Sequence, residues 1–423
     1  MEDNFFALGG HSLLATQVIG RLRRRYRIEL PLKTLFDRPT VAALAPVVAA
    51  AQSQPQTALP ALTPQPRSIT LPLSFAQQRL WFLELLHPGG RGGYQTRPYH
   101  LPFALRLRGD LNAGALEQGF AALIARHEVL RTGFGSQDGV PYQFIQPTPP
   151  FRLARTDLSI HTEPERRARL QEIFDDLHGR PFDLARPPLL RAHLVQWADR
   201  EQVLAVCLHH IVADGWSIGL LVQELAEGYA AYSRGDSPDW PPLAVQYADF
   251  ALWQRRHLPG AVWRRQLEYW RQQLAGAEPL LLLPGAGAPA HPRGTGGRHL
   301  QTLPPALADA LRALALAHDA TLFMVLHAAL AVLLHQQTGR TDLLIGADVA
   351  NRHRQETEGM AGFFVNPLVL RCRLAREQRF SQVLAACRDT ALAAWQHQDL
   401  PFDALVAELL PQRDGRHSPF FQT

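Results

Sequence analysis

Lysine is all but missing from this chain. Lys33 stands alone, so it is the one side chain that could serve Schiff-base chemistry. The positive charge is carried by arginine, and 43 basic residues against 38 acidic ones leave a net charge of only +5. Basic residues crowd together in one place, Arg21 to Arg27, which reads as the end of a helix where cations suit the dipole. With no base-stacking motif beside it, nothing points to a nucleic-acid partner. Cysteine is scarce: Cys207, Cys372 and Cys387 fall at no metal-ligand or disulfide spacing, so no metal is expected. That usage fits a reducing cytoplasm, and Cys207, inside an apolar strand pattern, reads as a small core residue. Long apolar runs are absent too. The most apolar helix, Thr321 to His335, is broken by His327 and too short to span a bilayer, and the acidic start Met1-Glu2-Asp3-Asn4 lacks a signal-peptide profile. A soluble protein without a membrane partner is expected.

What is present divides into pieces. A chain of 423 residues, 46% hydrophobic, is long for one core and natural for two or three domains. Residues 51–69 are rich in Pro, Gln, Ala and Ser, lack periodicity and read as a semi-extended linker. Ahead of it, Leu13, Leu14, Val18, Ile19 and Leu22 form a helical stripe. Thr40 caps a second helix, which Pro46 should kink or shorten. Ser12 follows Gly9-Gly10 at the mouth of the first helix. Two readings stand: an N-cap, or a serine placed to carry a phosphodiester where backbone N–H groups favour anions.

Behind the linker, strands alternate with amphipathic helices. Asn112 caps a helix bearing Leu116, Phe120, Leu123 and Ile124, and another shows Leu170, Phe174 and Leu177. Leu189 to Trp197 and Gln202 to His210 form a strand pair around Ala198-Asp199-Arg200-Glu201, the second strand apolar on both faces. Thr321 to Gln336, apolar nearly all round, predicts a central buried helix. Asp342 to Val349 and Pro367 to Leu374 read as further strands. The pairs Trp81-Phe82 and Phe363-Phe364 read as core aromatics, and Arg131 as a solvated or paired surface arginine. Gly89 to Gly93 and Gly285 to Gly297 read as loops without the context of a phosphate-binding loop.

The densest chemistry lies in His209-His210-Ile211-Val212-Ala213-Asp214-Gly215-Trp216-Ser217. If the strand persists to its end, His209 and His210 face opposite ways, so they cannot share one cleft and one of them is structural. Ser217 is placed to cap the helix carrying Ile218, Leu221, Val222, Leu225 and Tyr229. That helix aims its positive end at the turn, where the Gly215 N–H or a neighbour could hold an oxyanion. The plain alternative is a histidine pair that merely packs a strand end.

Two resemblances extend these readings. Asp3-Asn4-Phe5-Phe6-Ala7-Leu8-Gly9-Gly10-His11-Ser12-Leu13-Leu14-Ala15 resembles the peptidyl carrier domains of nonribosomal peptide synthetases, which implies 4′-phosphopantetheine attached to Ser12. The family's first helix would precede Met1, so a partial carrier is expected. His209 to Gly215 matches the His-His-x-x-x-Asp-Gly signature of the condensation domains of the same synthetases. Leu73 to Leu83, Arg126 to Thr132, Tyr247 to Phe250, Ile345 to Arg352, Gly362 to Asn366, Gln398 to Phe402 and Arg413 to Gln422 resemble the family's other motifs in order.

The resemblance implies an α/β (α+β) architecture: the two-lobed, chloramphenicol acetyltransferase-like condensation fold behind a small helical carrier. The expected divisions are a carrier at 1–50, the linker at 51–69, an N-lobe at 70–245 and a C-lobe at 246–423, stopping within the family's last motif. The resemblance also implies that His210 faces the cleft between the lobes and takes part in amide formation, with Gly215 at the oxyanion. His209, Asp214 and Arg352 are then structural supports, Asp214 pairing with Arg352. Implied partners are an upstream adenylation domain, an acceptor carrier and adenylation domain downstream, and a phosphopantetheinyl transferase. The motif flavour is that of domains joining an L donor to an L acceptor. The alternatives are an epimerisation domain of the same superfamily and a non-catalytic module that recruits carriers.

Overall fold

The computed structural model describes residues 2–26, 28, 30–52, 60–67, 70–86, 97–278, 299–410 and 419–421. The glycine runs at 89–93 and 285–297 and the Arg413-Asp414 part of the final motif lie outside the described residues.

The amino-terminal piece is three helices, α1 (Ser12–Tyr26), α2 (Lys33–Asp37) and α3 (Val41–Gln52). Thr40 caps α3 as its spacing predicts, Oγ1 accepting from the Ala43 N–H at 3.1 Å. The helix runs through Pro46 rather than stopping there. This piece is packed, not merely tethered. Ala15, Ile19, Leu35 and Phe36 are buried in one hydrophobic cluster with the carboxy-terminal lobe, where Phe36 lies 6.4 Å from the Trp395 ring.

The second half of the linker is held as well. Trp253 Nε1 donates to Pro60 O at 2.8 Å, the Gln65 N–H donates to Asp249, and Arg67 bridges Asp249 and Glu128. A linker read from composition alone as loosely extended is strapped to the body by these few polar contacts.

The N-lobe begins with β1 (Leu71–Pro72) and α4 (Phe75–Leu86), then β2 (His100–Arg108) and α5 (Ala113–Arg126). Asn112 caps α5 by accepting from two backbone N–H groups. There follow β3 (Thr132–Gln137), β4 (Val140–Ile145), β5 (Ala154–Asp157) and α6 (Glu163–Gly179). The hairpin of β6 (Leu190–Ala198) and β7 (Glu201–His209) turns at Asp199-Arg200, with Arg200 at φ +51°. The main sheet runs β2-β7-β6-β5, and β1-β4-β3 form a smaller one. Strand β7 is therefore central, which is why its residues are apolar on both sides and Cys207 is fully buried. Next comes α7 (Gly215–Ser233), packed on α5.

The junction between lobes falls later than position 245. Helix α8 (Tyr247–His257) places Tyr247, Phe250 and Trp253 in the N-lobe core, so it belongs to that lobe by packing. The C-lobe holds α9 (Ala261–Leu274), α10 (Pro305–Ala317), α11 (Leu322–Thr338), the antiparallel pair β8 (Asp342–Val349) and β9 (Asn366–Arg373), α12 (Phe380–Gln396) and α13 (Phe402–Leu409).

Two burial expectations fail. Helix α11 is not buried all round: Phe323, Leu326, Leu330 and Leu333 are 39%, 46%, 36% and 50% exposed on one stripe. The helix packs on α10, β8 and α12, and the stripe is left partly open. Of the Trp81-Phe82 pair only Trp81 is core; Phe82 points outward, 54% exposed. Phe363 and Phe364 are both buried as expected. Arg131 is paired, its Nη1 donating to Gln146 O at 2.7 Å.

Candidate functional site

The site forms where β7 gives out. The extended strand ends at His209, and His210–Val212 make one 3-10 turn before α7 begins. Regular strand alternation therefore does not reach His210. The two rings still part company, His209 fully buried and His210 partly open.

His209 is held at both nitrogens. Nδ1 accepts from the Ile211 N–H at 3.1 Å, so Nε2 carries the proton and donates to Glu84 Oε1 at 3.1 Å. Burial alone would raise the Glu84 carboxyl. The hydrogen bond from His209 outweighs it, and the net shift is downward. Replacing His209 by alanine leaves a cavity and two unpaired polar groups. We expect a loss of about 2–4 kcal/mol in urea unfolding, and an unchanged midpoint would contradict this structural role.

His210 is different. Its Nδ1 lies 2.9 Å from Ala213 O, an acceptor only, so Nδ1 carries the proton and Nε2 presents a lone pair. Among the described residues no protein donor meets Nε2. Burial pushes the His210 imidazole below its ordinary pKa, so the ring is neutral at physiological pH. Its edge packs on Phe363, 4.7 Å between ring centres, and Phe363 reaches in from the β8–β9 connection. Phe363 also lines an open inter-lobe crevice with Arg79, Asn351 and Asp403; His210 is not among the residues lining that crevice.

Asp214, not Ser217, caps α7. Its Oδ1 accepts from the Ser217 N–H at 2.8 Å and the Ser217 hydroxyl at 2.7 Å. Arg352 Nη2 donates to Asp214 Oδ1 at 3.1 Å and to Ser217 Oγ at 2.9 Å, while Nη1 serves Met360 O at 2.6 Å. The Arg352 guanidinium stacks over Phe364, 4.0 Å from its ring centre. Both charged groups of the pair are almost wholly buried. This pair ties the start of α7 to the β8–β9 connection, and so one lobe to the other. It also cancels the Asp214 charge at the end of a 19-residue helix, leaving the positive end of its dipole in force. Gly215, the first residue of that helix, is exposed, with open space where a side chain would stand.

Tyr247 carries no signal in the sequence that marks it as part of the site. Its buried hydroxyl donates to Phe363 O and lies 2.8 Å from Ser74 Oγ, locking α8, the opening motif and the Phe363 loop together. Gly362 sits against that ring so closely that any Cβ would overlap it. Both residues stand in the quoted motifs, but nothing in the motif spacing says that they touch.

Ser12 is the first residue of α1, about half-buried. His11, one residue earlier, takes the capping position, its Nδ1 3.5 Å from the Leu14 N–H. The Ser12 hydroxyl makes no hydrogen bond among the described residues. A phosphodiester at that oxygen would meet the open N–H groups of the helix start, so the residues present fit the group.

A nearby histidine gives the N-lobe an acid response. His100 is buried, Nδ1 donating to His178 O at 2.6 Å, and burial lowers its pKa from 6.5 to about 4. The unfolded chain then takes the proton first on acidification. Stability is full above pH 6.5 and is lost as the pH falls toward 4. We expect the melting temperature to drop across that window, and His100→Gln to flatten the drop; an unaltered slope in the variant would assign the loss elsewhere.

Comparison with known proteins places these features. A family model described as Condensation domain matches residues 68–423, and one described as Phosphopantetheine attachment site matches residues 1–47. A linear gramicidin synthase polypeptide of Brevibacillus parabrevis is 46% identical over 425 residues, covering 100% of this chain. A second polypeptide of that synthase is 45% identical over 423 residues, again covering 100% of this chain. The chain spans only 5% and 8% of those two proteins. Among solved structures, the X-domain from teicoplanin biosynthesis superposes with a TM-score of 0.74 at 32% identity, covering 86% of this chain and 79% of that one. The first condensation domain of the calcium-dependent antibiotic synthetase gives 0.68 at 26% identity, covering 81% and 78%.

Proposed function

Because this chain belongs to the condensation-domain family of nonribosomal peptide synthetases, with a phosphopantetheine-attachment domain ahead of it, we propose that it joins an amine to a carrier-bound acyl thioester. The observation that carries this reading is the His210 ring. It stands at the lobe junction, neutral, with its tautomer fixed by Ala213 and Nε2 left as an acceptor.

When bound at Ser12, the prosthetic group supplies a flexible arm and a thiol that holds an acyl chain as a thioester. The chain's own residues do the rest. A free α-amine titrates at about 7.7–8.0, so much of it is already nucleophilic at physiological pH. Its attack on a thioester carbonyl gives an oxyanion and an ammonium. The His210 Nε2 lone pair accepts a proton from that nitrogen, or orients the amine before attack. The Gly215 N–H, at the positive end of α7, faces the oxyanion. Collapse to the amide would break the C–S bond and release the arm's thiol, and the proton accepted at His210 Nε2 is placed to pass to that sulfur. Arg352 and Asp214 act at one remove, by holding the start of α7 and the Phe363 loop in register.

Carrier and adenylation domains of a multidomain synthetase are the partners that go with this family. The finer readings, an acceptor carrier downstream, adenylation domains on both sides and a transferase that loads Ser12, rest on the resemblance. Alanine at Ser12 tests the last: with coenzyme A and a phosphopantetheinyl transferase, intact mass should rise by one prosthetic group in the parent chain and by none in Ser12→Ala. Modification of the variant would move the site. A recruitment role has one point for it, since an X-domain from teicoplanin biosynthesis is known in complex with a second protein. The accessible Nε2 of His210 favours catalysis here.

A further inference from the structure

The three cysteines show no metal spacing, yet the fold brings two of them to one histidine. Cys372 on β9, Cys387 on α12 and His327 on α11 point their ligand atoms together, all within 4.8 Å of one another. The sulfurs are 3.7 Å apart, and Cys372 Sγ is 3.4 Å from His327 Nε2. All three side chains are buried, 4%, 2% and 5% exposed. We propose that this cluster is a zinc site that fastens α11, β9 and α12 in the core of the C-lobe.

Geometry supports zinc. Bond lengths of about 2.3 Å to sulfur and 2.0–2.1 Å to nitrogen at tetrahedral angles give edges of about 3.8 Å for S···S and 3.5 Å for S···N. Two of the observed edges, 3.7 and 3.4 Å, lie close to these, and the third, Cys387 Sγ to His327 Nε2, is within 4.8 Å. A planar three-coordinate ion with the same bond lengths needs edges of about 4.0 and 3.8 Å. Charge balances as well. Zn²⁺ with two thiolates and a neutral imidazole is net neutral, so no bare charge is left in the core. Binding Zn²⁺ releases the protons the thiols hold.

His327 turns Nε2 to the sulfur, and its Nδ1, which carries the proton when Nε2 binds a metal, has no hydrogen-bond partner among the described residues. Among the described residues no fourth protein ligand joins the group, which leaves one coordination position open.

The test uses the full chain without an affinity tag, dialysed against EDTA and titrated with Co²⁺ as a spectroscopic stand-in for Zn²⁺. The expected result is one equivalent bound, with thiolate-to-cobalt charge-transfer bands and intense tetrahedral d–d bands, displaced by Zn²⁺. Cys387→Ser and His327→Gln should weaken or abolish the bands, and Cys207→Ser should keep them. Parent chain without thiolate bands, or bands that survive Cys387→Ser, would overturn the site. The parent spectrum decides the matter even if a variant fails to fold. Because the bands are read without substrate, the outcome is independent of the condensation reading.

Discussion

Arg352→Ala should lower the stability of the chain by about 3–5 kcal/mol, a larger loss than His209→Ala brings. The reason is what remains behind. Asp214 stays 1% exposed, with its carboxylate facing a cavity where the guanidinium lay. Carbonyls of Thr357 and Met360 lose their donor as well. Lysine at 352 does not restore the pair, because one ammonium cannot reach Asp214, Ser217 and two carbonyls from the same place. The double variant Asp214→Ala with Arg352→Ala removes both charges and should cost less than the sum of the two single changes. Urea unfolding of the four proteins measures this cycle. Simple additivity would mean that the buried pair is not a coupled unit.

His210→Ala should slow amide formation about 10²–10⁴-fold, the usual worth of a positioned general base. The fold should survive it, since His210 is partly open and its Nδ1 bond to Ala213 closes only one short turn. The pH dependence follows from the lowered pKa. The neutral ring is the working form, so the rate, once corrected for the acceptor amine's own titration at about 7.7–8.0, should be flat at neutral pH and fall on acidification only below the ordinary histidine value of about 6.5. A fall beginning above that value would mean that the ring is not desolvated as the structure shows.

Much of this fold was legible from local signals. Asn112 and Thr40 announced their helices because a short polar side chain before an apolar stripe has one cheap use. The β6–β7 hairpin was legible because two apolar runs flank a polar turn. Where the structure departs from the sequence pattern, the missing information is tertiary. The period of α11 marked a helix, but periodicity cannot say whether a neighbour covers the outer stripe of Phe323 and Leu326. Ser217 looked like the cap; Asp214 takes that place because its second oxygen is held by Arg352, 138 positions away in sequence. Helix α8 joined the N-lobe through Tyr247, whose hydroxyl finds Ser74 from 173 residues off.

The site divides the same way. The His-His-x-x-x-Asp-Gly string named the histidines, but only the end of β7 at His209 explains why one ring is locked and the other is left with a lone pair. Cys372 and Cys387 carry no pattern in sequence, and it takes α11 folding over β9 to bring His327 to them.

The most direct measurement is a single turnover. The chain is loaded at Ser12 with an L-aminoacyl group, an aminoacyl thioester is offered as acceptor amine, and products are read by mass spectrometry and chiral analysis. A catalytic His210 predicts a dipeptidyl thioester with the donor's configuration retained, formed by the parent chain and suppressed in His210→Ala. A donor that loses its configuration without any amide forming, or equal amide yield from the two proteins, would contradict it.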